Sequence, residues 1–383
     1  MRWLFEDKHA LHGSAAARIL SGCAVLGLLV SNIRSRDIVF GPGAVWARPV
    51  QDGRVDNTPN YWSPDLVAHL GSTTFLLYYL AIIVLALLWT LGWRTRIVGL
   101  LMLVGVVSIV ERAPVVGDQG DNILRVGLVL LLFMQADEHW SLDARRRASR
   151  GGGRARLPLW FTNGVHNVAL AALACQVILV YFWAGMAKAR GDLWQHGTAL
   201  YYPLQLQEFR PFPLLSDLFT HSGSVVGIAT YVVMIVQLGF GFALLHPVSR
   251  RIVIGLAILL HLSIAVLMAL PWFSLSMLAF DAIFVSTTTY VAFERWLRRR
   301  GSALVGRDHA SQASAGEHEQ DRRDGQRSGG RGERPVSLPG DDEAGEEPAE
   351  RTREVQGQVA EALDRRTDAR LDRGAEQRGT GDD

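Results

Sequence analysis

Lysine is nearly absent from this 383-residue sequence. Of its 39 basic residues only Lys8 and Lys188 are lysines, and all the others are arginines. Arginine is effectively always protonated in a protein, whereas lysine can release its proton in a protein interior. A site that needs a base or a nucleophilic amine cannot use arginine. Among the Lys and Arg residues of this chain, only Lys8 and Lys188 could therefore serve in such a site.

Cysteine is also scarce, and the motifs of several soluble chemistries are missing. Cys23 and Cys175 both lie in apolar stretches, where they are typical of small buried hydrophobic residues. The sequence contains no Cys-x-x-Cys or His-Glu-x-x-His metal pattern, no Gly-x-Gly-x-x-Gly fingerprint, no P-loop and no Gly-x-Ser-x-Gly elbow. These absences argue against several soluble enzyme classes, and we predict no metal site.

Charge is distributed unevenly along the chain. Residues 301–383 hold 20 of the 37 acidic residues and 13 of the 39 basic ones, so this segment is net −7 while residues 1–300 are net +9. The segment also lacks Phe, Trp and Tyr, and it cannot bury enough apolar surface to offset its chain entropy. We predict an N-terminal segment at 1–14, a hydrophobic body at 15–296 and a disordered, charged tail at 297–383.

The body consists mainly of long apolar runs, and the mean hydropathy of the whole chain is +0.15. A helix needs roughly 20 mainly apolar residues to cross the hydrocarbon core of a bilayer. Eight windows meet or approach that length, so we predict an all-α, polytopic transmembrane helix bundle of about eight spans in a lipid bilayer. The windows are Ala15–Ile33, Thr73–Leu91, Arg96–Val110, Asn122–Ala136, His166–Ala187, Val225–Leu245, Ile252–Leu270 and Trp272–Phe293.

Arginine concentrates in alternate connections between the predicted spans. Basic loops of membrane proteins face the cytoplasm. We therefore predict that these connections and both termini are cytoplasmic, in the plasma membrane of a bacterial-type cell, and that Lys188 lies at the outer side. The arginines concerned are Arg94 and Arg96, then Arg145, Arg146, Arg147, Arg150, Arg154 and Arg156, then Arg250 and Arg251, and finally Arg295 and Arg298–Arg300.

Ionisable residues in or beside the spans are candidates for function, because such groups are costly in a membrane and usually face a cavity or the bundle interior. We interpret Lys188 as a candidate base, with Asp121 and His196 as assisting groups. The alternative for Lys188 is a side chain that reaches from the helix end to the interface. Three aromatic residues of the same outer connection are binding candidates or members of an interfacial belt: Trp194, Tyr201 and Tyr202.

Three more ionisable positions are interpreted as binding or pairing residues. Asp281 is predicted to pair with Arg18 or Arg125 and so hold helices together, which we favour slightly over a place in a pocket or proton path. His261 is predicted to form a hydrogen bond across helices.

The segment Val180–Leu206, which begins with Val and then Tyr181-Phe-Trp-Ala-Gly185-Met-Ala-Lys188, resembles the signature of the HTTM family, the horizontally transferred transmembrane domain. Phe40-Gly-Pro-Gly-Ala-Val-Trp46, Gly120-Asp-Asn122 and Trp140-Ser-Leu-Asp143 agree with it. The resemblance covers about residues 14–295. The family includes vitamin K-dependent gamma-carboxylase and bacterial relatives of the sporulation-delaying protein B type, and this chain is closer in size to the bacterial branch.

The resemblance implies a role for Lys188. In the carboxylase, a lysine in a similar Tyr-Phe-x-Ala-Gly-x-x-Lys stretch deprotonates vitamin K hydroquinone. By resemblance alone, a vitamin K-like quinone is the implied cofactor, and maturation of a secreted peptide is the implied activity. The chain has no counterpart of the carboxylase's large lumenal β-rich region, which argues against gamma-glutamyl carboxylation itself.

Two other functions stay open on the sequence. A non-enzymatic export or immunity component would bind a secreted peptide through its outer loops. A transporter would use Arg18, His261 and Asp281 as a polar path, although the sequence has no internal inverted repeat and no matching pair of broken helices. No feature predicts a nucleic-acid partner.

Overall fold

The computed structural model describes residues 2–44, 70–110, 117–150 and 157–300. Within these ranges the chain folds into helices and turns without any β-strand, which confirms the predicted all-α class. The described residues belong to one compact unit, Met1–Ala303. The first four residues of the predicted tail, 297–300, are helical, and the rest of the predicted tail lies outside the described residues.

We number the longer helices α1 to α9. They are α1 (Leu11–Ser31), α2 (Ser72–Leu91), α3 (Thr95–Val110), α4 (Gln119–Phe133), α5 (Leu159–Ala189), α6 (Gly223–Ala243), α7 (Pro247–Leu267), α8 (Pro271–Asp281) and α9 (Thr287–Arg300). The shorter α-helices are Arg2–Phe5, Arg36–Val39, Leu142–Ser149, Asp192–Gln195 and Pro213–Thr220, and the 3₁₀ turns are Pro203–Gln205, Gln207–Phe209 and Ala282–Phe284.

Local sequence explains where several helices begin and end. Asp118 accepts hydrogen bonds from the first turn of α4, and the Asp121 side chain accepts one from the Asp118 N–H, which together form a capping box. Proline starts both α7 and α8, because its missing N–H would be unpaired at that position in any case. Helix α2 ends at Gly92, whose φ of 70° suits a residue without a Cβ.

Each predicted span corresponds to a helix, but the count of eight spans is not confirmed. Helices α1, α2, α5, α6 and α7 are long and apolar enough to cross a membrane, and α8 with α9 would make a sixth only as one bent span. Helix α3 has 16 residues and α4 has 15, so they rise about 24 Å and 22 Å, less than the roughly 30 Å of the hydrocarbon core.

The last predicted span, Trp272–Phe293, is wrong as a continuous helix. The chain turns by 110° between the segment that ends at Phe284 and helix α9. The break has a local cause, since Val285 is extended and the Ser286 hydroxyl accepts a hydrogen bond from the Thr289 N–H, at 3.3 Å, as a helix cap does.

Helix α1 lies at the centre of the bundle. Of its most apolar window 61% is buried inside the protein, against 17–33% for the other four long apolar helices. It packs against α2 and α8, and α8 also contacts α4 and α7. Glycine permits this close packing: a Cβ on Gly127 of α4 would stand 2.2 Å from the Phe280 ring of α8.

One end of the bundle gathers most of the arginine-rich connections, and we name it the arginine end. The Asn167 side chain of α5 donates hydrogen bonds to three backbone carbonyls of residues 3–7. His12 stacks on His139, with ring centroids 3.7 Å apart, and lies 6.1 Å from the Tyr290 ring. Both ends of the described body therefore lie at this end of the bundle. This end comprises residues 2–12, 92–97, 135–150 and 290–300.

Candidate functional site

Lys188 lies half-buried in the last turn of α5, at the opposite end of this helix from the arginine end. Its Nζ is 3.5 Å from the Ala184 carbonyl oxygen and 5.2 Å from the centroid of the Trp194 ring. Within the described part of the chain no carboxylate forms an ion pair with this amine. An aromatic face and a carbonyl, rather than a counter-ion, therefore surround it.

A tight turn after α5 brings Trp194 over Lys188. The Gly191 N–H donates to the Lys188 carbonyl at 2.9 Å, and the Trp194 N–H donates to the Gly191 carbonyl at 3.0 Å. Gly197 then reverses the chain at a φ of 71°, where the Tyr231 ring of α6 packs against it. Of the predicted site residues, Trp194 is the one that the structure places on Lys188.

The other predicted residues of this connection do not contact Lys188. His196 is exposed, and its Nδ1 lies 2.7 Å from the Asp192 carbonyl oxygen. Tyr201 and Tyr202 pack edge to face on each other, with centroids 5.7 Å apart, and are also exposed. Their exposure suits the predicted alternative of an interfacial aromatic belt.

Asp121 lies well away from Lys188 along the helix axis. Gln176 of α5 donates to the Ile123 carbonyl of α4 at 3.3 Å, which fixes the relative height of the two helices. Lys188 follows Gln176 by 12 residues, a rise of about 18 Å, whereas Asp121 is two residues from Ile123. Asp121 instead caps α4 with Asp118, and burial raises the pKa of the Asp118 carboxyl.

A buried polar network lies two helical turns below Lys188. The Tyr181 hydroxyl donates to Asp281 Oδ2 at 2.7 Å and is 3.0 Å from His261 Nε2, so this nitrogen carries the proton that the tyrosine oxygen accepts. All three residues are at most 2% exposed, and the Phe240 ring stacks on Tyr181 at 4.1 Å. The predicted hydrogen bond of His261 across helices is confirmed.

Sequence reasoning did not single out Tyr181 as a site residue. The signal was available, since Tyr181 and Lys188 are seven residues apart and therefore lie on the same face of α5. The network also has two open positions. Among the described residues, no hydrogen-bond partner reaches His261 Nδ1 or Asp281 Oδ1, although both atoms are buried.

Arg18 is not part of this network, and its predicted pairing with Asp281 is wrong. Its guanidinium is fully buried near the arginine end and donates to the carbonyls of Trp89, Thr90, Ala136 and Trp140 at 2.5–3.0 Å. A guanidinium carries five N–H donors, and this one makes four hydrogen bonds to backbone oxygens of two segments, the end of α2 and residues 136–140. The predicted transport path through Arg18, His261 and Asp281 is therefore not formed by these side chains.

An apolar cavity of about 250 Å³ is lined mainly by α6, α7 and the connection between α5 and α6, and by none of the three network residues. Leu260 and Ile264 line it and flank His261 on α7, and Ser263 is the one polar residue among those that line it. Its walls suit the hydrocarbon part of a membrane-soluble molecule. Lys188 is not among the lining residues, so the cavity does not bring a quinone ring held inside it to that amine.

Comparison with protein-family models gives a match. The family model of the HTTM domain matches residues 54–288, a range that contains Lys188, the three residues of the buried network and the cavity. No solved structure matches the chain.

Proposed function

This chain belongs to the HTTM family and is a multi-pass membrane protein, and we propose that it acts on a lipophilic substrate at the Lys188 end of its bundle, with Lys188 as the base. The observation that carries the proposal is the position of this lysine. Its amine has no carboxylate partner among the described residues, and it stands on the same helix face as the buried Tyr181 network.

The roles of the surrounding residues follow from their contacts. Tyr181, His261 and Asp281 belong to α5, α7 and α8, so their hydrogen bonds fix the orientation of the helix that carries Lys188. They are positioning residues in this proposal. Two buried atoms of the network, His261 Nδ1 and Asp281 Oδ1, have no hydrogen-bond partner among the described residues. Native proteins rarely leave such atoms unpaired, which supports a site where a ligand or a water forms these bonds.

The apolar cavity supports a lipophilic substrate over a peptide as the place for its hydrocarbon part only, because Lys188 does not line the cavity and the group that reacts would lie outside it. Apart from Ser263 its lining is aliphatic or aromatic, and it offers no charged group or backbone edge to a polar chain. The Trp194 ring beside Lys188 adds apolar surface at the end of the bundle. A secreted peptide is retained as the alternative substrate that the same experiment detects.

Replacing Lys188 by arginine should abolish the activity while the protein still accumulates in the membrane. Arginine keeps the positive charge and the contact with Trp194, but it cannot accept a proton. Loss of a general base typically costs about 100-fold or more in rate. The measurement is mass spectrometry of lipids and secreted peptides from cells that express each variant, with the Lys188-dependent product expected among the lipids.

Lys8→Arg is the matched control, because it exchanges the other lysine of the chain. Lys8 donates to Gln135 at 3.0 Å at the arginine end, and arginine can keep that hydrogen bond. A product that persists in Lys188→Arg would remove Lys188 from the mechanism. A peptide that copurifies without any change in mass would instead identify the non-enzymatic role.

We also propose that the arginine end faces the cytoplasm and that Lys188 faces outward across a plasma membrane. In a background with Cys23→Ala and Cys175→Ala, a membrane-impermeant maleimide should label Thr198→Cys on intact cells. It should label Ser149→Cys only after the cells are permeabilised, because both positions are exposed but lie at opposite ends of the bundle. The reverse labelling pattern would invert the proposed orientation.

A further inference from the structure

The arginine end contains a second cavity, whose chemistry differs from that of the Lys188 end. It has a volume of about 720 Å³ and is lined by residues 94–97 at the start of α3, by Gln135 and Asp137 after α4, and by residues of the short helix Leu142–Ser149 with Arg150 just beyond it. Five arginines and two aspartates line it, so its formal charge is +3. The charged residues are Arg94, Arg96, Arg146, Arg147, Arg150, Asp137 and Asp143.

The Asp143 carboxylate stabilises the wall of the cavity rather than neutralising the charge of its arginines. Its carboxylate accepts hydrogen bonds from the backbone N–H groups of Arg94 and Thr95 and from the Thr95 hydroxyl, at 2.9–3.0 Å. These bonds hold Arg94 at a φ of 42°, an uncommon conformation for a residue with a Cβ. The carboxylate oxygens are thus occupied within the wall, and the nearest guanidinium, that of Arg146, is 3.9 Å away.

The Arg147 guanidinium likewise pairs with carboxylates beside the cavity. It forms an ion pair with Asp137 and lies 3.4 Å from Glu138. By contrast, no ion pair involves Arg94, Arg96 or Arg150 within the described residues. Among the described residues, three guanidiniums at one cavity therefore have no carboxylate partner, and a ligand can pair with them.

The Trp93 ring arranges two of the arginines. The guanidinium carbon of Arg94 lies 5.5 Å from its centroid and that of Arg146 lies 5.7 Å from it. Such contacts orient planar guanidiniums without consuming their N–H donors. Arginine forks match the oxygen pairs of phosphate groups, so the cavity presents donors of the right geometry and sign for that group.

We propose that this cavity binds a phosphate group, and that the group belongs to the head of an anionic membrane lipid. Two of its arginines, Arg94 and Arg96, directly follow the apolar helix α2, which places the cavity at the level where lipid headgroups lie. The binding site is independent of the function proposed for Lys188, which lies at the other end of α5.

The test uses the full-length protein in a neutral detergent. Native mass spectrometry measures its binding of phosphatidylglycerol and of phosphatidylcholine, and calorimetry measures its binding of inorganic phosphate. We expect saturable binding of phosphatidylglycerol, at least about tenfold weaker binding of phosphatidylcholine, and weakening of the phosphatidylglycerol complex as salt rises. If inorganic phosphate binds as tightly as the lipid, the cavity is a phosphate site whose ligand is a soluble anion, and the lipid part of the proposal is wrong.

Two double variants separate this cavity from the general basicity of the surface. Arg96→Gln with Arg150→Gln removes two free charges from the cavity and should weaken phosphatidylglycerol binding at least about tenfold. Arg250→Gln with Arg251→Gln removes the same charge from residues that do not line it and should change binding less than about twofold. Equal loss of phosphatidylglycerol binding in both double variants would overturn the proposal. So would a failure of the unsubstituted protein to bind both phosphatidylglycerol and inorganic phosphate.

Discussion

Arg18→Met should destabilise the protein more than any other single substitution considered, by about 4 kcal/mol in the free energy of unfolding. The substitution removes one guanidinium and leaves four carbonyl oxygens without their donor in the packed interior. The apolar stem is retained, so lost packing contributes little. Unfolding of the purified protein by dodecyl sulfate, followed by tryptophan fluorescence, measures the difference.

Arg34→Met is the matched control for this prediction. Arg34 is exposed and follows the same helix α1, so its substitution should change the free energy of unfolding by less than about 0.5 kcal/mol. If Arg18→Met is as stable as Arg34→Met, the four hydrogen bonds do not hold the bundle together, and the central role of Arg18 is lost.

Tyr181→Phe should have the second largest effect on stability, about 2 kcal/mol. The hydroxyl is the shared partner of His261 and Asp281, so its removal leaves two buried polar groups unpaired at once. The stacking of the ring on Phe240 is retained, because phenylalanine keeps the same aromatic face. The same unfolding measurement applies.

A double-mutant cycle tests whether the network acts as a unit. Tyr181→Phe and Asp281→Asn in combination should cost less than the sum of the two single variants, with a coupling of about 1 kcal/mol or more. Tyr231→Phe is the control for the loss of a tyrosine hydroxyl, because this hydroxyl donates at the exposed surface to the Gln195 carbonyl. Its effect should add to that of Asp281→Asn. Additive effects at Tyr181 and Asp281 would mean that the hydrogen bond between them contributes nothing measurable.

The position of the predicted spans could be inferred from the sequence because apolar length is a local property. Every predicted window contains a helix, and the central apolar windows of α2 and α6 agree closely with their helical bounds. The eighth window failed because Trp272–Phe293 looks continuous in hydropathy, while the break at Val285 and Ser286 depends on backbone conformation and on one hydroxyl cap. Hydropathy does not report such a break.

The partners of buried charges could not be inferred in the same way. Arg18 and Asp281 are opposite charges in neighbouring helices, so an ion pair was a reasonable hypothesis. The folded chain satisfies Arg18 with carbonyls at a helix end and in a turn, and carbonyl oxygens occur at every residue of a sequence. Only the path of the backbone determines which of them reach the guanidinium.

The near absence of lysine and the apolar runs determined by themselves that this is a helical membrane protein with one lysine at a helix end. These are properties of composition and of segments about 20 residues long, and they need no knowledge of distant contacts. The tertiary structure decided the other sites, because the Tyr181 network and the arginine cavity each join residues far apart in the chain, whereas Trp194 reaches Lys188 through a turn of six residues. Contacts between such distant residues depend on how helices pack, which no local pattern encodes.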